Sequence, residues 1–270
     1  MMGDSMSKEL DAAKHAAREA GRIITDHFDS GTTIHRKESH NLVSDADYAA
    51  EEAIVPVLRD TFPSHSFYGE EAHKDSIDSD SLWLIDPLDG TNNFAHRFPF
   101  FCSSVAFAAA GELVLGVVYD PVRDELFWAE RGQGAYCNNR RVRVSTAASL
   151  SESLLATGFY YDRGELLKQT LGAVHALFHA GIHGVRRTGS AALDLCYLGC
   201  GRLDAFFEYK LMPWDFGAGA VFVREADGRA TDSYGADLTA KSGDVVCSNG
   251  CVHDDLLRHV ASHRPEAGTF

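Results

Sequence analysis

The sequence predicts an α/β fold, and three observations carry that reading. Two helical segments open the chain, the second with its own N-cap. A central stretch then reads as a run of strands separated by turn residues. The remainder alternates strand and helix, the signature of packed α/β layers. With 270 residues and 45% of them hydrophobic, the chain is one large domain or two halves in contact, with ample material for a core. Intrinsic disorder as the main state is excluded.

The first helix is expected from Ser7 to Phe28, where Leu10, Ala13, Ala17, Ala20, Ile23, Ile24 and His27 recur at spacings of three and four. Ser44 reads as the cap of the second. Asp45 and Asp47 sit in its first turn, and Ala50, Ile54, Val57 and Leu58 form its apolar face. Pro56 inside that pattern argues against one straight helix. Strands are expected at Ser66–Tyr68, Leu82–Ile85, Cys102–Ala110, Glu112–Tyr119, Glu125–Ala129 and Arg141–Val144. Gly132, Gly134 and the pair Asn138-Asn139 mark turns between them, and the whole suggests an antiparallel or mixed sheet. Beyond a Ser/Ala stretch at Ser145–Ser153, the one plausible seam, strands at Leu154–Thr157, Ile182–Arg186, Asp204–Glu208 and Val245–Cys247 alternate with helices at Leu166–Phe178, Ser190–Leu198, Phe216–Ala226 and Asp254–His263.

The charge sum, 25 − 39 = −14, disfavours nucleic acid and anionic membranes as partners. It equally repels a phosphorylated small molecule, so phosphate chemistry here needs local positive charge, most simply metal ions. No apolar run approaches the roughly 20 residues of a membrane span. The segment Met1–Ala20 lacks a basic stretch followed by an apolar one. Free thiols in a reducing, cytoplasmic setting are therefore expected for Cys102, Cys137, Cys196, Cys200, Cys247 and Cys251. Their two C-x3-C pairs do not have the usual zinc spacing.

Three acidic clusters stand beside Gly or Pro at the ends of expected elements: Gly69-Glu70-Glu71, Asp86-Pro87-Leu88-Asp89-Gly90-Thr91 and Trp214-Asp215. Alone, the first is a solvated pair, the second a surface turn and the third a helix cap. Together and in this order they point to a site. A buried strand ending at Asp86 delivers it to the edge of a sheet where ligands collect. Pro87 turns the chain, and Asp89 follows three residues later, so both carboxylates can face one point with the Leu88 carbonyl between them. Gly90 permits close backbone approach, and Thr91 to Phe94 can open a short helix suited to phosphate. An oxygen-only donor set favours Mg²⁺ and argues against zinc. His175 and His179, four apart, can share a helix face, with no third ligand in view. Ser190 lacks the G-x-S-x-G elbow, and Gly132-Gln133-Gly134 lacks the strand–helix setting of a dinucleotide site.

Gly69-Glu70-Glu71, Trp83 to Phe94 and Trp214 to Gly219 together resemble the inositol monophosphatase family, over roughly Leu10 to Val260. The resemblance implies a layered α-β-α-β-α sandwich shared with fructose-1,6-bisphosphatases. An N-terminal half, 1–145, would carry most metal ligands, and a C-terminal half, 146–270, would carry Asp215 and the substrate loop. It implies a lithium-sensitive, Mg²⁺-dependent phosphate monoester hydrolase with two or three ions. Glu70, Asp86, the Leu88 carbonyl, Asp89 and Asp215 would be the metal ligands, with Glu70 and Thr91 orienting and deprotonating the attacking water. Asp47 would support the Thr91 hydroxyl, and Lys37 would border the site. Asp89, Gly90, Thr91, Gly189, Ser190, Ala191, Glu208 and Asp215 would meet the substrate. The residues after the D-G-T block look most like inositol monophosphatases. Fructose 1,6-bisphosphate, histidinol phosphate and 3′-phosphoadenosine 5′-phosphate are the alternative substrates. Tyr209-Lys210-Leu211 after Glu208, where small residues are common in the family, is a departure that touches substrate detail. The family further implies a homodimer, and some bacterial members act as regulatory partners of RNA-binding or transcription factors.

Overall fold

The computed structural model describes residues 7–36 and 42–265; Lys37 lies outside them. Helix α1 (Lys8–Ser30) is capped by Ser7, whose hydroxyl accepts from the Leu10 N–H. It is followed by β1 (Ile34–Arg36), β2 (Leu42–Ser44) and α2 (Asp45–Thr61). Then come β3 (Ser66–Gly69), β4 (Ser81–Asp89), the short α3 (Thr91–Ala95), β5 (Cys102–Ala109), β6 (Glu112–Asp120), β7 (Glu125–Glu130), β8 (Gly134–Cys137) and β9 (Arg140–Val142). The remainder holds β10 (Leu154–Thr157), α4 (Glu165–His179), β11 (Gly184–Arg186), α5 (Ala191–Gly199), β12 (Ala205–Glu208), α6 (Pro213–Glu225), β13 (Arg229–Thr231), β14 (Val245–Ser248) and α7 (His253–Ala261).

Strands β3 to β9 form a seven-stranded sheet in sequence order, parallel only at β3–β4. A second, five-stranded sheet has the order β11-β10-β12-β14-β13 and is parallel at β10–β11 and β10–β12. One face of the large sheet buries Trp83, Ile85, Val105 and Val117 against Leu10, Ala17, Ile24, Ile54 and Leu58 of α1 and α2. Its other face buries Leu84, Ala106 and Val118 against Phe216, Ala220 and Leu195 of α6 and α5, which also cover Phe206 and Cys247 of the small sheet. The outer face of the small sheet packs Leu155, Phe207 and Val246 on Leu177, Leu256 and Val260 of α4 and α7. The result is five layers, α-β-α-β-α. Each helix with two sheet neighbours is apolar nearly all round, as α6 is, and each outer helix carries a single apolar stripe.

Several elements differ from the sequence expectation. Helix α2 is continuous through Pro56, because Ile54, Val55 and Leu58 on either side are buried against α1. The pair β1–β2 and strand β13 have three residues each, too short for an alternation pattern to register. Gly134 begins a strand rather than a turn. Helix α6 starts at Pro213, so Trp214 and Asp215 lie inside its first turn and Met212 takes the cap position. All six cysteines are free. Among the described residues no helix is long and apolar enough to cross a membrane.

Buried His253 bridges the small sheet and α7. Its ring nitrogens lie 3.0 Å from Thr231 Oγ1 and 3.0 Å from Ser248 Oγ. Burial, with Arg229 nearby, pushes its pKa down to about 4. The native state therefore holds it neutral, while the unfolded chain takes up a proton below about 6.5. Its contribution is complete above that pH and is lost as pH falls toward 4. From this one group we expect a loss of about 1.2 kcal/mol at pH 5.5 relative to neutrality. Chemical denaturation of wild type and His253→Gln at pH 7.5 and 5.5 checks it: the variant should show the smaller acid loss, and equal losses would reject the assignment.

Candidate active site

Strand β4 is apolar from Leu82 to Ile85 and buried on both faces, so Asp86 is carried into the interior at its far end. The pairing with β5 slips between Asp86 and Asp89. The expected free turn is thus a bulge inside the strand, which leaves the Leu88 N–H to donate to Asp86 Oδ1 at 3.0 Å. Gly90 has φ 98, and a β-carbon there would lie 3.0 Å from the Phe100 carbonyl oxygen, so both conformation and space require glycine. Helix α3 follows at once. Its Asn93 amide donates to the carbonyls of Phe100 (2.7 Å) and Thr188 (2.8 Å), tying the bulge to the segment before α5.

Thr91 Oγ1 lies 3.0 Å from Asp47 Oδ1 and 3.0 Å from the Leu88 carbonyl oxygen, both acceptors for its proton. Asp47 also closes the capping box of α2. Its Oδ2 accepts from the Ser44 N–H (2.7 Å) and hydroxyl (2.6 Å). Burial pushes Asp47 up to about 7 against those bonds. Asp47 does not line the cavity; it lies behind the wall and reaches it through Thr91.

Glu51, one turn further along α2, is fully buried. Its carboxylate accepts from the N–H groups of Glu71, Ala72 and His73 at 2.8–2.9 Å and meets His73 Nδ1 at 2.9 Å. Burial pushes its pKa up, and these bonds outweigh it and hold the group below the usual range. Glu51 thereby shapes the loop that presents Glu70. Sequence reading missed it. The signal was there: Asp47, Ala50, Glu51, Ile54 and Leu58 share the buried face of α2, where a carboxylate needs a partner.

The remaining groups come from the C-terminal part. Asp215, in the first turn of α6, accepts the Met212 N–H at 2.7 Å through Oδ2. The segment Thr188–Ser190 leads into α5, where Ser190 caps the helix. Asp89 Oδ2 accepts from Ser190 Oγ (2.6 Å) and the Ala192 N–H (2.8 Å). Two further carboxyl groups line the cavity. Glu208 at the end of β12 packs against Gly158, where a β-carbon would lie 1.9 Å from Oε2. Asp194, which the sequence reading did not single out, accepts from Thr188 Oγ1 at 2.7 Å. Burial pushes both up to about 8, with Arg187 opposing the rise.

A cavity of about 380 Å³ is lined by Glu70, Asp86, Leu88, Asp89, Gly90, Thr91, Gly189, Ser190, Ala191, Glu208 and Asp215. These are the expected site residues other than Asp47. Tyr160, Tyr161, Arg187 and Asp194 complete much of its wall. Six carboxyl groups thus share one cavity, and Arg187 is the cation among the described residues that line it. The electrostatic consequence is plain. Asp86 and Asp215 are pushed well above the carboxylate range, first by burial and then by Glu70 and the other acids. Asp89 is pushed up to about 6 by burial, against its bonds from Ser190 and Ala192.

Such a site is high in energy unless a cation enters, and its donors are all oxygen, the set hard divalent cations take. Among the described residues no three Asp, Glu, His or Cys side chains are already drawn into a closed cage. Asp86, Asp89 and Asp215 each spend one oxygen on an internal hydrogen bond. An open arrangement of that kind suits Mg²⁺, which keeps several waters and takes one or two carboxylates plus substrate oxygens.

Known proteins share this architecture. The chain is 40% identical over 265 residues to the Nus factor SuhB of Escherichia coli (strain K12), covering 97% of this chain and 99% of that protein. The extragenic suppressor protein SuhB of Bartonella henselae superposes with a TM-score of 0.88 at 36% identity, over 97% of this chain and 100% of that one. The inositol monophosphatase of Anabaena (Nostoc) sp. PCC 7120 gives a TM-score of 0.84 at 38% identity, covering 97% and 98% of the two chains. With its residues 5–267 matching the family's sequence model and its five layers matching those folds, the chain belongs to the inositol monophosphatase family, a phosphatase superfamily.

Proposed function

We propose that the chain is a Mg²⁺-dependent phosphate monoester hydrolase that favours inositol 1-phosphate. The observation that carries this is the cavity in which Glu70, Asp86, Asp89 and Asp215 converge with Thr91, too acidic to receive a phosphate without cations. Glu70, Asp86, the Leu88 carbonyl, Asp89 and Asp215 would hold two or three Mg²⁺. Bound there, the ions supply charge compensation for the phosphoryl group and lower the pKa of water. The chain's own groups do the rest. Thr91 donates its hydroxyl hydrogen bond to Asp47 or to the Leu88 carbonyl, which leaves its oxygen to accept from a water. Glu70, on the loop shaped by Glu51, takes the proton of that water. The resulting hydroxide adds to phosphorus as the ester P–O bond breaks; the leaving alkoxide takes a proton from solvent water and Glu70 returns its own to solvent, giving inorganic phosphate and the alcohol. Gly90 and Thr91 border the phosphate. Glu208, with the backbone of Gly189, Ser190 and Ala191, meets the hydroxyls of the alcohol. The halves 1–145 and 146–270 face each other across the cavity, and we expect a cytoplasmic homodimer without nucleic-acid or membrane partners.

Phosphate release with Mg²⁺ across inositol 1-phosphate, fructose 1,6-bisphosphate, histidinol phosphate and 3′-phosphoadenosine 5′-phosphate tests the reading. The highest kcat/KM should fall on inositol 1-phosphate, and a higher value for another ester would replace it. Thr91→Ala should lower kcat by about 10²–10⁴ with little change in KM, as for a group acting on the nucleophile in the transition state. A rise in KM alone would make Thr91 a simple binding residue.

Relatives named Nus factor SuhB, 40% identical, support a second, regulatory protein-binding role beside catalysis. Pull-down with the inactive Asp86→Asn protein separates the two: a partner retained by that variant does not depend on turnover.

A further inference from the structure

The outer face of α4 carries an arrangement that the phosphatase chemistry does not use. The helix buries Leu166, Thr170, Ala173 and Leu177. His175 and His179 lie two positions beyond Ala173 and Leu177, about 200° around the helix, and both are exposed. Their Nε2 atoms stand 3.2 Å apart, with the rings tilted at 66° and their centroids separated by 4.5 Å. The spacing of four residues does not by itself produce this. His259 and His263 have the same spacing, yet His263 falls beyond the end of α7, and its Nδ1 turns back to the His259 carbonyl oxygen at 3.0 Å.

Two nitrogens 3.2 Å apart, each about 2.1 Å from one ion, subtend about 100° at it. That angle lies between the octahedral and tetrahedral values, so the nitrogen spacing is one that a single ion can bridge once the rings turn their lone pairs toward it. Imidazole donors select Ni²⁺, Cu²⁺ and Zn²⁺ over Mg²⁺, the reverse of the oxygen-lined cavity. We propose that His175 and His179 form a binding site for one late first-row divalent transition-metal ion, separate from the phosphatase site. The ion bridges successive turns and clamps the C-terminal end of α4, which packs on α7 and the small sheet. Water fills its remaining coordination positions. This inference is independent of the proposed substrate and reaction.

The probe is Ni²⁺, titrated calorimetrically into untagged full-length protein with Mg²⁺ in excess to occupy the oxygen site. Wild type should bind one Ni²⁺ that His175→Gln and His179→Gln each weaken by about tenfold or more, one of two nitrogen donors being lost. His259→Gln should bind like wild type. Ni²⁺ should raise the melting temperature of wild type and of His259→Gln but of neither α4 variant, and Mg²⁺-dependent activity, if the protein has it, should be the same in all four. Ni²⁺ binding that is equal in wild type and both α4 variants would overturn the site. So would wild type that binds none at micromolar protein concentration, which would mean that the two rings only share a hydrogen bond.

Discussion

Asp86→Asn is expected to lower phosphate release by about a thousandfold or more while leaving the far-UV circular dichroism unchanged. Asp86 is 1% exposed, at the bulge of β4 that borders the acidic cavity, and faces Glu70, Asp89 and Asp215 as neighbouring charges. The proposed role of its carboxylate is that of a cation ligand. Without the ion, its charge destabilises the fold through desolvation and repulsion from like charges. Asn is nearly isosteric, and its carbonyl oxygen can still accept from the Leu88 N–H that now bonds Oδ1. The variant should therefore melt no lower than wild type in EDTA, and should gain less from added Mg²⁺. That opposite behaviour of apo stability and activity separates a ligand from a structural residue. A variant with near-normal Mg²⁺-dependent turnover would remove Asp86 from the site; one that melts lower in EDTA would make it a fold-stabilising group.

The long helices and strands were legible because each carries one uninterrupted pattern. The β4–β5–β6 core reads as strands from its β-branched and aromatic runs, and α1 from its small apolar stripe. What the sequence could not state is pairing. Nothing in Leu154–Thr157 says that it lies between β11 and β12, and that position is what brings Glu208 beside Gly158. The β1–β2 pair and β13 escape for a different reason: they are fixed by tertiary contacts and have no periodicity of their own.

At the site, the residues that could be named from the sequence are those in contiguous motifs, where Gly and Pro neighbours betray an unusual backbone. Glu51 and Asp194 escaped because their roles are relations between segments, 20 to 22 residues apart in one case and from α5 back to Thr188 ahead of its cap in the other. Both are carboxyl groups on helix faces that are otherwise apolar, so a search for charged residues in phase with the core would have found them. The bulge at Asp86–Asp89 shows the converse. Its composition reads as a turn, yet pairing with β5 resumes at Asp89–Cys102, so the sheet continues through a sequence that local propensity would end.

EDTA is expected to abolish activity, and Mg²⁺ to restore it. The same addition should raise the melting temperature. Glu70, Asp86, Asp89, Asp194, Glu208 and Asp215 line one cavity with Arg187, and the chain as a whole carries −14, so an anionic ester would be repelled both at long range and at the site. Cations reverse both effects. They would bind the native cavity and would find no such convergence in the unfolded chain. At a hundred times its Kd a single ion stabilises by about 2.7 kcal/mol, or about 5 °C or more for a chain of this size. Li⁺ should then inhibit at fixed Mg²⁺, because a monovalent ion in one of these positions compensates less of the charge that phosphate brings. The assay is phosphate release with rising LiCl, with NaCl matched for ionic strength. Equal loss in the two salts would assign the effect to screening and reject the lithium site. Activity that persists in EDTA would reject metal dependence altogether, leaving a cavity of six carboxyl groups with no account of how it could hold a phosphate.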